Sequence, residues 1–258
     1  MHDCAPFVLR NDQRTVWAPH ACLCAITDVG GRRLTNEDSF QILHEERVFV
    51  VADGIGGGPA GEVASDIATG TVAEHIFGWL SRGGPCGGSM LLSALEAANH
   101  AVLGAAAVRK ELFGMSATII VACVQDDRLY TAHLGDVRCY VQSRGRLTRL
   151  TRDHTPVAEL LAQGLLGEDQ VARNPQRHVV NQAAGMDHVE PTLNECTLGA
   201  GDRVLLCTDG VWAALTGQDL ATIMKWQGAM RQVATQLIDN ALRRSGSDNM
   251  TLVLYEHV

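Results

Sequence analysis

The stretch Phe49-Val50-Val51-Ala52-Asp53-Gly54-Ile55-Gly56-Gly57-Gly58-Pro59-Ala60-Gly61-Glu62-Val63-Ala64-Ser65 changes character twice within a few residues. Val48 to Val51 favour a buried, pleated backbone, so the segment opens as a strand. The apolar run stops at one carboxylate, Asp53. Gly54, Gly56, Gly57, Gly58 and Pro59 follow, and that density of glycine and proline demands a sharp bend. A helical period begins near Ala60, with Val63, Ile67, Gly70, Ala73, Phe77 and Leu80 at spacings of three and four.

An acid at the end of a buried strand is open to three readings. It can be a turn residue or a helix cap, since turn chemistry favours Asp and Gly. It can belong to a glycine loop that cradles phosphate, but no Gly-Lys-Ser/Thr follows and a carboxylate repels a phosphate. That repulsion disappears if a metal ion stands between them, which requires further acids elsewhere in the chain.

The chain supplies them. Asp209-Gly210 follows the apolar run Val204-Leu205-Leu206-Cys207-Thr208, Asp248 precedes the strand-like Met250–Tyr255, and Gly135-Asp136 separates two strand-like segments. Each alone reads as a turn residue. Together they suggest carboxylates gathered at one end of a sheet stack, a cluster that repels itself unless cations neutralise it. Hard oxygen ligands select Mg(II) or Mn(II). Two such ions about 3.5–4 Å apart share a bridging water and make it a nucleophile for hydrolysis.

Composition narrows the class. The chain has 258 residues, 46% hydrophobic and 19% charged, enough for a substantial core. A formal charge of −8 leaves no basic face for nucleic acid, so an anionic substrate must be drawn locally by metals or placed arginines. Of eight cysteines, Cys123, Cys139 and Cys207 fall in apolar strand-like runs, where Cys serves as a small core residue. Cys22-Leu23-Cys24 lacks a second pair at zinc-ligand spacing, and reduced thiols are expected. The N-terminus has no signal-peptide core, and no window approaches the roughly 18 apolar residues of a membrane span. These features point to a cytoplasmic protein with no membrane partner and a monomer as the default.

Taken in order, residues 1–20 read as a short tail or an added edge segment. Ala21–Asp28 alternate weakly as a first strand, and a charged turn leads to an extended Ser39–Leu43. The composition of residues 81–90 is that of a loop. A second helix spans about 90–107, with Leu91, Leu95, Ala98, Val102 and Ala105 in phase, and packs in one layer with the helix at 60–80. Thr118–Val124, Leu129–Leu134 and Arg138–Gln142 are consecutive short strands, which favours antiparallel pairing. Residues 153–190 turn helical and polar, as an insertion over the body. A helix near 229–244 aligns Val233, Leu237 and Ala241.

Arg33-Leu34-Thr35-Asn36-Glu37-Asp38, Asp53-Gly54-Ile55-Gly56-Gly57, Gly135-Asp136-Val137-Arg138, Thr208-Asp209-Gly210-Val211-Trp212 and Ser247-Asp248-Asn249-Met250-Thr251 resemble, in order and spacing, the motifs of metal-dependent serine/threonine protein phosphatases of the protein phosphatase 2C type. The compact length looks most like the bacterial branch. The resemblance implies an α+β fold, an α-β-β-α sandwich of two antiparallel sheets flanked by helices. Its phosphatase domain would run over 21–258, with residues 153–190 as a flap. Asp53 would bridge two core Mn(II) or Mg(II) ions. Asp209 and Asp248 would complete the first ion's shell, Glu37 and the Gly54 carbonyl would serve the second, and Asp136 with Asp209 would hold the weaker third ion of many members. Arg33 would clamp the substrate phosphate and Asp38 would orient Arg33. A planar guanidinium suits a phosphate dianion, although Arg32 is a rival on spacing alone.

Some positions depart from the family pattern: Val137 where Ser is usual, Met115 where a small hydroxyl residue is common, and Ile55 where eukaryotic members place a His. His154 and His178 are candidate substitutes for that acid. The implied activity is hydrolysis of phosphoserine and phosphothreonine in proteins, opposing a bacterial Ser/Thr kinase. The alternative is a catalytically silent phosphatase-like binding or scaffold module.

Overall fold

The computed structural model describes residues 14–43, 47–55 and 60–258. The bend at Gly56–Pro59 and residues 1–13 lie outside them. Within that range one six-stranded sheet contains β1 (Arg14–His20), β2 (Leu23–Asp28), β7 (Arg138–Ser143), β8 (Arg146–Arg149), β10 (Arg203–Cys207) and β11 (Met250–Glu256), in the order β1-β2-β11-β10-β7-β8. A five-stranded sheet runs β3 (Asp38–Leu43), β4 (Val48–Ile55), β5 (Ser116–Gln125), β6 (Arg128–Leu134) and β9 (Thr192–Thr197). All pairings are antiparallel.

The strands obey a period of two because each face meets a different layer. In β4, Val48, Val50 and Ala52 face the long helices α1 (Gly61–Ser81) and α2 (Gly88–Val108), while Phe49 and Val51 join the core between the sheets. In β10 and β11, Leu205, Cys207, Leu252 and Leu254 pack under α7 (Met230–Arg244), while Val204, Leu206 and Val253 point inward. The result is four layers, helix-sheet-sheet-helix. Strand β2 is buried along its whole length because both its faces are covered, which explains its weak alternation.

Of the two readings of residues 1–20, the added edge holds for 14–20, which form the edge strand β1 and pair with β2; Arg14 bridges Asp28 at 2.6 Å and Asp239 at 2.8 Å. Three expectations need correction. The buried stripe of α1 is Ala64, Ala68, Val72 and Ile76, beside Ser65 and Thr69; of the predicted line only Ala73 is buried, and Phe77 is 52% exposed. Small side chains let this helix approach the sheet, so the largest hydrophobes mark its margins. Helix α2 is in fact long and apolar enough by length and composition to cross a membrane, with mean hydropathy 1.4. Here Met90, Leu91, Ala94, Leu95, Ala98 and Val102 of that helix are buried in the core it shares with α1 and the five-stranded sheet. Finally, Cys86 and Cys123 are joined as a disulfide, tying the α1–α2 loop to β5, while Cys22, Cys24, Cys139, Cys196 and Cys207 are free.

The inter-sheet core sets a measurable cost. Ile120 is fully buried between the sheets. Ile120→Ala should lose about 2–5 kcal/mol in urea unfolding, whereas truncating the exposed Phe113 should change stability by less than about 0.5 kcal/mol.

Candidate functional site

Strand ends bring the acids to one rim. Asp38 at the start of β3 is the register partner of Asp53 near the end of β4, and Asp53 is also paired with Thr118 of β5. Leu134 lies opposite Ile119, so the β6–β7 turn carrying Asp136 opens at the same end. In the other sheet Cys207 pairs with both Arg138 and Leu252. The residues just beyond, Asp209 and Asp248, therefore face the same rim. Asp209 opens the short helix α5 (Asp209–Trp212).

Buried hydrogen bonds fix that convergence. Thr208 Oγ1 donates to Asp38 Oδ2 at 2.9 Å, across the gap between the sheets, and accepts from Thr251 N at 3.0 Å. Asn36 Nδ2 donates to Thr27 Oγ1 at 2.7 Å, and the Thr27 and Thr251 hydroxyls lie 2.7 Å apart. Asn249, 3% exposed, accepts from Glu37 N at 2.8 Å and donates to the carbonyls of Val29 and Thr35, both at 2.9 Å. One amide thus sews the Arg33–Glu37 loop to the start of β11. Sequence reasoning gave Asn249 no role; its signal was a small amide directly beside an acid at a strand entrance.

Two glycines permit close approach. A Cβ at Gly54 would stand 2.1 Å from the Gly61 carbonyl oxygen, so only glycine lets the end of β4 meet the start of α1. Gly54 N also donates to Glu37 O at 3.1 Å. Gly30, with φ +78°, brings the loop against the Asp248 carbonyl, where a Cβ would sit 2.2 Å away.

The rim holds more negative charge than the buried site can sustain. Burial above all, then Asp38, Asp209, Asp136 and Asp248, pushes the Asp53 carboxyl well above the usual range. Asp209 is itself raised to about 6, by burial first and then by Asp248, while its contact with Asp53 works the other way. Burial lifts Asp38 and Asp136 to about 7 each, with Asp209 adding to both. Burial also raises Glu37. Asp38 Oδ1 is buried with no hydrogen-bond partner among the described residues. Orphaned oxygen and crowded carboxyls of this kind fit a hard divalent cation by donor type. Yet among the described residues no three His, Cys, Asp or Glu side chains close around a common metal position. Instead the Arg33 guanidinium contacts Asp248 at 2.8 Å and Glu37 at 3.5 Å.

That placement departs from one expected role. Arg33 meets Asp248 and Glu37 rather than Asp38. Asp38 shares a strand face with Phe40, two residues on, and so points toward the opposite sheet and Thr208. Arg32 is exposed. Neither candidate histidine is hydrogen-bonded to the acidic rim. His154 Nδ1 accepts from Gly135 N at 3.2 Å, its Nε2 lies 2.8 Å from Thr192 Oγ1, and its ring stacks on His133 at 4.5 Å. Burial first, then His133, lowers it to about 4, so it is neutral at pH 7. His178 stacks on Trp212 at 6.4 Å. Ile55 is partly exposed.

A protein-family profile described as Protein phosphatase 2C matches residues 31–250. The chain is 34% identical over 237 residues to the serine/threonine protein phosphatase PstP of Mycobacterium tuberculosis, covering 91% of this chain and 44% of that protein. It therefore spans less than half the length of that relative. It is 30% identical over 238 residues to a putative protein phosphatase 2C-type of Streptococcus pyogenes, covering 88% of this chain and 94% of that one. The crystal structure of the PstP catalytic domain in complex with two manganese ions superposes with TM-score 0.78 at 31% identity, over 91% of this chain and 96% of that one.

The raised carboxyls make stability depend on pH. In the unfolded chain Asp136 ionises near 3.8, whereas in the folded chain it holds its proton to about 7. The folded state therefore binds protons more tightly, and stability is lost as pH rises between those values. In excess chelator the thermal midpoint should fall as pH rises from about 4 to about 7. Asp136→Asn, which cannot ionise, should flatten part of that fall.

Proposed function

The chain belongs to the protein phosphatase 2C family, and on that premise we propose that it is a protein serine/threonine phosphatase, a Mn(II)- or Mg(II)-dependent hydrolase of phosphoserine and phosphothreonine in proteins. The observation that carries the proposal is the convergence of Asp209, Asp248, Asp38 and Asp136, separated in sequence, around Asp53, whose carboxyl all four push up. The manganese ions in the structure of its relative PstP support the same assignment.

Asp53, Asp209 and Asp248 would hold one ion. Asp53, Glu37 and the Gly54 carbonyl would serve a second, and Asp136 with Asp209 a third. When bound, such ions polarise a phosphoryl group and lower the pKa of water at the site. The protein's own part is binding, orientation and proton placement. Arg33 is the partly exposed guanidinium at the rim, and its planar fork matches the oxygens of a phosphate. Asp38, held by Thr208, fixes the β3 end against Asp53 and so acts as a positioning residue. His154 is committed to the Gly135 turn and His178 lies against Trp212, so water would protonate the departing serine or threonine oxygen.

The physiological setting follows as part of the proposal. Phosphoproteins are the substrates, a bacterial Ser/Thr kinase is the opposing enzyme, and the protein acts as a cytoplasmic monomer. The Arg33–Asp248 ion pair favours one second reading, a phosphatase-like binding module whose acids are neutralised by its own arginine. Calorimetry separates the two: metal binding without turnover on any phosphosubstrate selects the module.

Phosphate release from p-nitrophenyl phosphate and phosphothreonine peptides, with and without Mn(II), is the direct test. Asp53→Asn should lower turnover at least about a hundredfold. Undiminished release in excess chelator, or by Asp53→Asn, would overturn the assignment. Arg33→Ala should raise KM about tenfold while leaving metal binding in place.

A further inference from the structure

A cavity of about 620 Å³ lies beside the acidic rim, beneath α3 (Pro156–Ala162) and α4 (Glu168–Arg173) and against β7, β8 and α5. Its lining carries Arg138, Arg149, Arg152 and Arg177 against a single carboxylate, Asp153. In a chain of formal charge −8 this is a local field of opposite sign.

Asp153 does not neutralise that field. Its two oxygens are taken by Arg138, at 2.7 and 3.0 Å, and by Arg149, at 2.6 Å. These two arginines form the fixed wall: Arg138 also lies 3.3 Å over the centroid of the Trp212 ring, and Arg149 Nε donates to Thr151 O at 2.6 Å. Arg152 and Arg177 are the surplus. Both are exposed, neither makes an ion pair among the described residues, and Arg177 reaches only the Asn174 carbonyl, at 3.5 Å. A rigid aromatic and guanidinium wall facing two uncommitted guanidinium groups is a receptor for an anion carried on a flexible side chain.

The pocket and the rim share elements. Trp212 lies three residues after Asp209 on α5, a helical rise of about 4.5 Å, and Arg138 lies two residues after Asp136. An extended peptide advances about 3.3–3.6 Å per residue, so a ligand group in the pocket would sit a few residues from a phosphorylated residue at the rim.

We propose that this pocket is a second anion site, which takes an acidic side chain, carboxylate or phosphate, flanking the phosphoserine or phosphothreonine, and that the protein thereby selects phosphosites in acidic sequence. The proposal rests on the phosphatase reading for its catalytic consequence and on the pocket alone for binding.

The test compares phosphothreonine peptides with alanine, glutamate or phosphoserine at the flanking positions, on the wild type and on the Arg152→Ala/Arg177→Ala variant. With Mn(II), the wild type should show about three- to tenfold higher kcat/KM on the acidic peptides. The variant should lose that preference while p-nitrophenyl phosphate turnover stays unchanged. Preference for phosphoserine alone assigns the pocket to phosphate; preference for both flanks assigns it to carboxylates as well. Equal turnover of all three peptides by the wild type, or a preference that survives in the variant, overturns the proposal. A second arm needs no catalysis: fluorescence anisotropy of a labelled, glutamate-flanked peptide with unphosphorylated threonine, in chelator. Weaker binding by the variant supports the pocket even if the wild type proves inactive on p-nitrophenyl phosphate, and equal binding by both proteins overturns it.

Discussion

Repulsion among carboxyl groups at one rim of the sandwich is the constraint the structure is built around. Burial, with charge from neighbouring acids added to it, pushes Asp53, Asp209 and Asp38 above the ordinary carboxylate range. A fold does not gather such groups for stability, since each ionised member destabilises its neighbours. What keeps them together is neutral: the Thr208–Asp38 bond between the sheets, the Thr27–Thr251 pair and the three hydrogen bonds of Asn249. Buried networks of this kind are rigid, and this one leaves only the Asp38 Oδ1 atom of its carboxyl without a partner among the described residues. Rigidity is what a cation site needs, because the acids cannot then relax apart before the ion arrives.

Arg33 shows how the same charge can be met from within. Its guanidinium lies against Asp248 and Glu37, acids expected to face different ions. An arginine on a turn rich in charge is well placed to change partners, since its loop is anchored through Asn249 and Gly54 N rather than through its own side chain.

How much was legible in the sequence depended on burial. Strands covered on both faces, such as β4, β5, β10 and β11, announced themselves as apolar runs, and each candidate acid at their ends stands on the rim. Two edge strands were silent: β9, Thr-Leu-Asn-Glu-Cys-Thr, alternates between half-buried and exposed, and β8 carries two arginines in four residues. The face of α1 was displaced because hydrophobicity ranks Phe77 above Ala64, while close helix-sheet packing ranks them the other way. The Asn249 and Thr208 roles were hidden for a different reason. Their partners lie far away in sequence, and a hydrogen bond across that separation leaves no local pattern. The disulfide between Cys86 and Cys123 was equally invisible, since nothing in the spacing of a loop cysteine and a strand cysteine states that they meet.

The excursion between β8 and β9 is pinned at both ends. Near its beginning His154 exchanges hydrogen bonds with Gly135, and near its finish Ala184 bridges Ala117 while Asn99 grips Gly185 and Met186. It behaves as a span resting on two abutments. Exposed residues between those supports, such as Leu165 and Arg177, can be exchanged or recharged while both anchors stay in place, so ligand choice can diversify without the anchors being rebuilt.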